Sequence, residues 1–126
     1  MGVNPKLSAI RQIAVTVSDV DKALAFYRDV LGLIFLFSAG PNLAFLDAAG
    51  TRIMLTTPQG SGAIGQNSVL YFKVSDIAAV HAALVERGAK DERAPQLAVK
   101  MPNHELWTGF LRDPDGNLVG LMEEKP

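Results

Sequence analysis

The chain has 126 residues, 48% of them hydrophobic and 20% charged, with a formal net charge of −1 and no cysteine. This composition lies within the folded globular range; the interspersed, near-neutral charge offers no basic stripe to a nucleic-acid backbone, so no nucleic-acid partner is expected. The lack of cysteine excludes disulfides and thiolate metal sites and fits a reducing compartment, and apolar runs such as "LIFLF" (33–37) fall far short of the roughly 20 residues of a membrane span.

The opening "MGVNPKLSAIRQ" has no apolar signal core, so a cytoplasmic protein without membrane contact is expected. Ile13, Val15 and Val17 then alternate with Gln12, Ala14 and Thr16, the period of a strand with two different faces. At Val20 the period changes: Val20, Leu24, Tyr27 and Leu31 fall on one helical stripe. Ser18 and Asp21 are spaced as a capping box, and Gly32 suits the position just past the helix. The strand-like runs "LIFLF" and "LAFLDAAGTRIMLTT" follow, the second broken at Gly50. The Gly-rich, polar stretch "TTPQGSGAIGQN" (56–67) reads as a linker. "SVLYFKV" (68–74) alternates again. Ile77, Val80 or His81, and Leu84 form a second helical stripe, capped by Asp76 and ended by Gly88. "QLAVKM" and "TGFLRDPDGNLVGLM" complete the chain as strands, with Pro114 and Gly116 setting a turn.

These elements occur twice. "AVTVSDVDKALAFY" (14–27) is echoed 57 positions later by "YFKVSDIAAVHAAL" (71–84). "FLDAAGTRIML" (45–55) lines up with "FLRDPDGNLVGLM" (110–122), with Gly50 opposite Gly116, Ile53 opposite Val119 and Leu55 opposite Leu121. The expected organisation is one α+β domain over 1–126 made of two β-α-β-β-β modules, about 8–57 and 67–124, joined by a linker at 58–66. A lone module leaves one sheet face uncovered, so the modules must pair within the chain or with another chain.

The opening "IRQIAVTVSDVDKALAFYRDVLGL", the middle "VSDIAAVHAALVERGA" and the closing "WTGFLRDPDGNLVGLME" together resemble the vicinal oxygen chelate superfamily, which includes glyoxalase I, extradiol dioxygenases, methylmalonyl-CoA epimerase and the bleomycin-resistance proteins. The resemblance implies that the modules pair into an open, cupped eight-stranded barrel that holds its ligand in the cup, and that the protein is a homodimer. Metal-dependent members take one ligand from the first and one from the last strand of each module. Carried over by the repeat, those positions are Gln12 and Val69 on the first strands, Met54 and Gly120 on the last. A hard divalent ion needs several converging oxygen or imidazole donors. Val69 and Gly120 offer none, Met54 a soft thioether and Gln12 one amide oxygen. No metal and no other cofactor is expected. The cup is read as apolar, with Ala14, Met54, Val69 and Tyr71 beside Gln12, which suits a small organic molecule.

The functional expectation is a metal-independent binder of a small, largely apolar molecule, similar to the bleomycin-resistance relatives. The alternative is a glyoxalase- or epimerase-like lyase or isomerase with a nonstandard site, in which His104 and Glu105 serve as acid/base groups or weak metal ligands beside Gln12. A solvated loop ahead of a strand is the plainer reading of His104 and Glu105, since neighbours on an extended chain point to opposite faces. Trp107 is a candidate wall of the cup or a packing residue. Tyr71, two residues past Val69 on the same strand face, is placed to stack on a ligand or to pack. His81 is read as a packing histidine on its helix.

Overall fold

The structure, a computed structural model, describes residues 5–58 and 63–126. The centre of the expected linker, 59–62, lies outside the described residues. Two four-stranded mixed sheets form, each crossed by one helix. In the first, β1 (Gln12–Thr16) lies parallel to β4 (Thr51–Thr56), followed by β3 (Leu43–Ala48) and β2 (Ile34–Ser38) at the edge. The second repeats the order, with β5 (Leu70–Lys73) beside β8 (Leu118–Lys125), then β7 (Glu105–Arg112) and β6 (Lys90–Lys100). The repeat holds to the residue: Ala14 pairs with Met54 as Tyr71 pairs with Gly120. The sheets do not close into a continuous barrel.

Between β1 and β2 the helix α1 (Val20–Leu24) continues in wider turns over Ala25–Val30, where Leu31 N–H donates to Phe26 O, five residues back. The 3.6-residue stripe predicted a continuous α-helix. The wider turn lets two neighbouring aromatics, Phe26 and Tyr27, both enter the core, packed edge to face at 5.1 Å. The expected capping box is also replaced. Asp19 caps α1 by accepting from Lys22 N–H, while Ser18 donates from its N–H and Oγ to Asp115. The second helix, α2 (Ile77–Glu86), buries Ile77, His81 and Leu84. On it His81 packs against the sheet, with Nε2 3.1 Å from Asp91 Oδ1 but off-line for a hydrogen bond.

Both expected glycine turns form with positive φ, 101° at Gly50 and 84° at Gly116. β6 extends seven residues upstream of Leu97 despite Pro95. It can do so because it is an edge strand whose register shifts between Arg93 and Gln96, where no ladder N–H is needed. One core of Val15, Val17, Leu46, Ile53, Leu55, Ile77, Leu111 and Val119 runs through both modules.

A polar joint locks the modules together. Asp113 is buried and accepts from Tyr27 Oη at 2.7 Å, from the N–H groups of Asp115 and Asn117 at 2.9 and 2.8 Å, and from Asn117 Nδ2 at 2.8 Å. Asn67 brackets Thr16, its Oδ1 accepting from the Thr16 N–H at 3.1 Å and its Nδ2 donating to Thr16 O at 3.2 Å. Burial, then the Asp113 carboxylate, pushes the Tyr27 hydroxyl far above its ordinary pKa, so it remains a donor at any physiological pH. The "DPDGN" segment is therefore both a hairpin turn and the fastening of one module to the other.

Candidate functional site

Strand alternation gives each sheet one face packed under its helix and one concave face left open. On the first sheet the concave face carries Gln12, Ala14, Arg52, Met54, Phe45 and Phe37. Phe37 and Phe45 stack at 4.6 Å, and the Arg52 guanidinium lies 5.6 Å over the Phe45 ring. On the second sheet Tyr71, Leu106, Thr108, Phe110 and Met122 wall a cavity of about 470 Å3 together with Arg93. Tyr71 meets Phe110 edge to face at 5.7 Å, and the Arg93 guanidinium lies 4.7 Å over Phe110. Phe45 pairs with Met54 and Phe110 with Gly120. Each half-cup thus sets a phenyl ring, topped by an arginine, opposite a last-strand position that the family resemblance assigns to a metal ligand.

At those four positions the surroundings do not fit a divalent ion. The amide oxygen of Gln12 accepts from Arg52 Nε at 2.8 Å, so a cation already holds the one hard donor. Its Nε2 faces Met54 Sδ at 3.8 Å. On the other sheet the Tyr71 ring lies across Gly120: a Cβ built there would come within 2.8 Å of Tyr71 Cδ1 and 3.1 Å of Cε1 and Cγ. An aromatic face therefore fills the space into which a side chain at position 120 would project. Val69 precedes β5 and, with Tyr71, lines a second cavity of about 520 Å3 between the modules, which also takes in Ile13 and Leu33. Among the described residues no three His, Asp or Glu side chains converge as a metal site.

The polar candidates separate. Glu105 accepts from Trp107 Nε1 at 3.1 Å, and Trp107 packs against the core on the helix side, under Lys125 at 4.3 Å. Trp107 thus faces away from the cavity that Leu106 and Thr108 line, and Glu105 away from His104. The carboxylate near His104 is Glu124 instead, with Nε2 to Oε2 at 3.6 Å, while Nδ1 lies 2.8 Å from Asn103 Oδ1.

The model of the Glyoxalase/Bleomycin resistance protein/Dioxygenase superfamily matches residues 9–121. The chain belongs to this superfamily. Among its relatives is mouse mitochondrial methylmalonyl-CoA epimerase, 29% identical over 94% of this chain and 74% of that protein. Of the solved structures, a lactoylglutathione lyase from Agrobacterium tumefaciens superposes with TM-score 0.75 at 28% identity, covering 94% of this chain and 95% of that one. TnmS3, an antibiotic binding protein from Streptomyces, superposes with TM-score 0.75 at 25% identity, covering 97% and 100%. On this superfamily fold the residues that sequence reasoning missed are Phe45, Phe110, Arg52, Arg93 and Glu124. The two phenylalanines had a signal, since each stands opposite a ligand position once the hairpins are drawn. The arginines had none, because a guanidinium over a ring reads in sequence as an ordinary surface charge.

Proposed function

We propose that this superfamily member works without a metal and binds a small, planar, largely apolar organic molecule against its concave sheet faces. The observation that carries this reading is the replacement of ligand positions by the protein's own groups: Arg52 holds the Gln12 oxygen and the Tyr71 ring covers Gly120. What remains is an apolar concavity with a few directional polar groups, which is the ordinary make-up of a small-molecule site. The antibiotic binding relative supports the same reading. No helix among the described residues is long and apolar enough to cross a membrane, and a cysteine-free chain is at home in the cytoplasm.

The working unit in this reading is a homodimer. The edge strand β2 exposes Ile34, Phe35, Leu36 and Phe37, and the edge strand β6 exposes Leu97 and Val99, each at 38–65% of its surface. Contiguous apolar edges of this kind favour burial by a second chain. The walls of the 470 Å3 cavity come from the second sheet alone, so a partner's first sheet would complete the cup. The test is a thermal-shift and calorimetric screen of planar aromatic compounds against the wild type and Tyr71→Ala. Saturable binding weakened in the variant supports the proposal; no binding across the screen refutes it.

A second reading, a lyase or isomerase, draws on the His104–Glu124 approach at the end of the second sheet and on the epimerase and lactoylglutathione lyase relatives. It predicts turnover in the reactions named for those relatives, abolished by His104→Ala. Absence of turnover in the wild type removes it.

A further inference from the structure

We infer that the ligand is an aromatic anion, a planar ring system bearing a carboxylate or comparable acidic group, and that Arg93 is the residue that selects for its charge. This rests on the proposed reading of the cup as an organic-ligand site and adds the chemical class. Arg93 stands at the wall of the cavity formed by Tyr71, Leu106, Thr108, Phe110 and Met122, and it is the one charged side chain among the lining residues. Among the described residues its guanidinium forms no ion pair and no hydrogen bond; its one specific contact is the Phe110 ring at 4.7 Å. A guanidinium stacked on a ring keeps its N–H edge free and preset, and that edge matches a carboxylate with two parallel bonds.

Of the other charges near this face, Glu92 is committed elsewhere, and Lys73, opposite Met122, lines the cavity between the modules rather than this one. Glu92 is held by Arg112 Nε at 2.9 Å, and the Arg112 pairing keeps its carboxyl below the usual range. Glu124 lies on the same face but stands opposite Leu106, whereas Arg93 stands opposite Phe110. Four strand residues separate them, roughly 13 Å, more than the screening length of about 8 Å at physiological salt. On the first sheet Arg52 differs because its Nε is spent on Gln12. The cavity therefore presents one uncompensated cation, one hydroxyl at Thr108, and an aromatic corner made by Tyr71 and Phe110. A flat ring seated on that corner carries its acidic substituent to Arg93.

The experiment compares 2-naphthoate with its neutral isostere 2-naphthamide by isothermal titration calorimetry, on the wild type, Arg93→Gln and Arg93→Lys. The expected result is at least tenfold tighter binding of naphthoate by the wild type, a preference that weakens with added salt, shrinks in Arg93→Lys and disappears in Arg93→Gln. Equal binding of the two probes by the wild type, or an undiminished preference in Arg93→Gln, overturns the anion assignment and leaves the planar-ligand reading standing. Failure of both probes to bind overturns both.

Discussion

Gly120→Ala should change the sign of its effect with the residue at position 71. Glycine in a strand is ordinarily worse than alanine by about 0.5–1 kcal/mol, and Gly120 sits buried in β8 with no positive φ to protect. A methyl there should therefore stabilise the protein. The added Cβ, however, falls 2.8 Å from Tyr71 Cδ1 and 3.1 Å from two further ring atoms, too close for the ring to stay. Tyr71 is half exposed and can swing outward, losing its edge-to-face contact with Phe110, worth about 0.5–1.5 kcal/mol. In the wild type the gain and the loss nearly cancel or the loss wins. With Tyr71→Ala the obstacle is gone and Gly120→Ala should stabilise by its full amount, giving a coupling of about 1 kcal/mol between the two sites. Urea unfolding of the four proteins at one fixed concentration measures this, the fixed concentration guarding against mass action in a dimer. Equal effects of Gly120→Ala in both backgrounds, within about 0.5 kcal/mol, would refute the claim that the tyrosine ring fills the ligand position.

Tyr27→Phe removes one of four donors to the buried Asp113 and should cost about 1.5–3 kcal/mol, as expected for a hydrogen bond to a charged group; a urea midpoint unchanged from wild type would contradict the joint. Ala49 holds a φ of 50° in the two-residue turn between β3 and β4, so Ala49→Gly should raise stability by about 1 kcal/mol or more by relieving a left-handed conformation, and a loss in thermal unfolding would count against it. Phe37→Glu should shift the protein to a monomer in multi-angle light scattering and weaken binding of the planar ligand; a monomeric wild type would contradict the assembly.

Much of the fold was legible because the chain repeats itself. The alternation of Ile13, Val15 and Val17 and the glycines at 50 and 116 fixed the strand faces and turns in both halves, and the pairing of Ala14 with Met54 and Tyr71 with Gly120 follows the same offsets. The widened turn at Ala25–Val30 was not legible, because helical periodicity describes the average turn and the choice to bury both Phe26 and Tyr27 is made by tertiary packing. Ser18 was misread for a similar reason: a local capping pattern competed with Asp115, 97 residues away. At the site, sequence reasoning identified Gln12, Met54 and Gly120 as positions poor in metal donors. It had no way to see that Arg52 and the Tyr71 ring occupy the space, since those are side-chain conformations across a sheet. His104 and Glu105 were separable in advance by strand alternation, but the Glu124 partner required the β7–β8 register.

The central proposal is that the protein's own side chains occupy the positions that the family resemblance assigns to metal ligands. Inductively coupled plasma mass spectrometry on untagged protein, incubated with Zn, Ni, Mn or Fe(II) and then desalted, tests it directly. Far less than one retained ion per chain is expected for every metal. One tightly held ion per chain would contradict it and bring the lyase or isomerase reading forward.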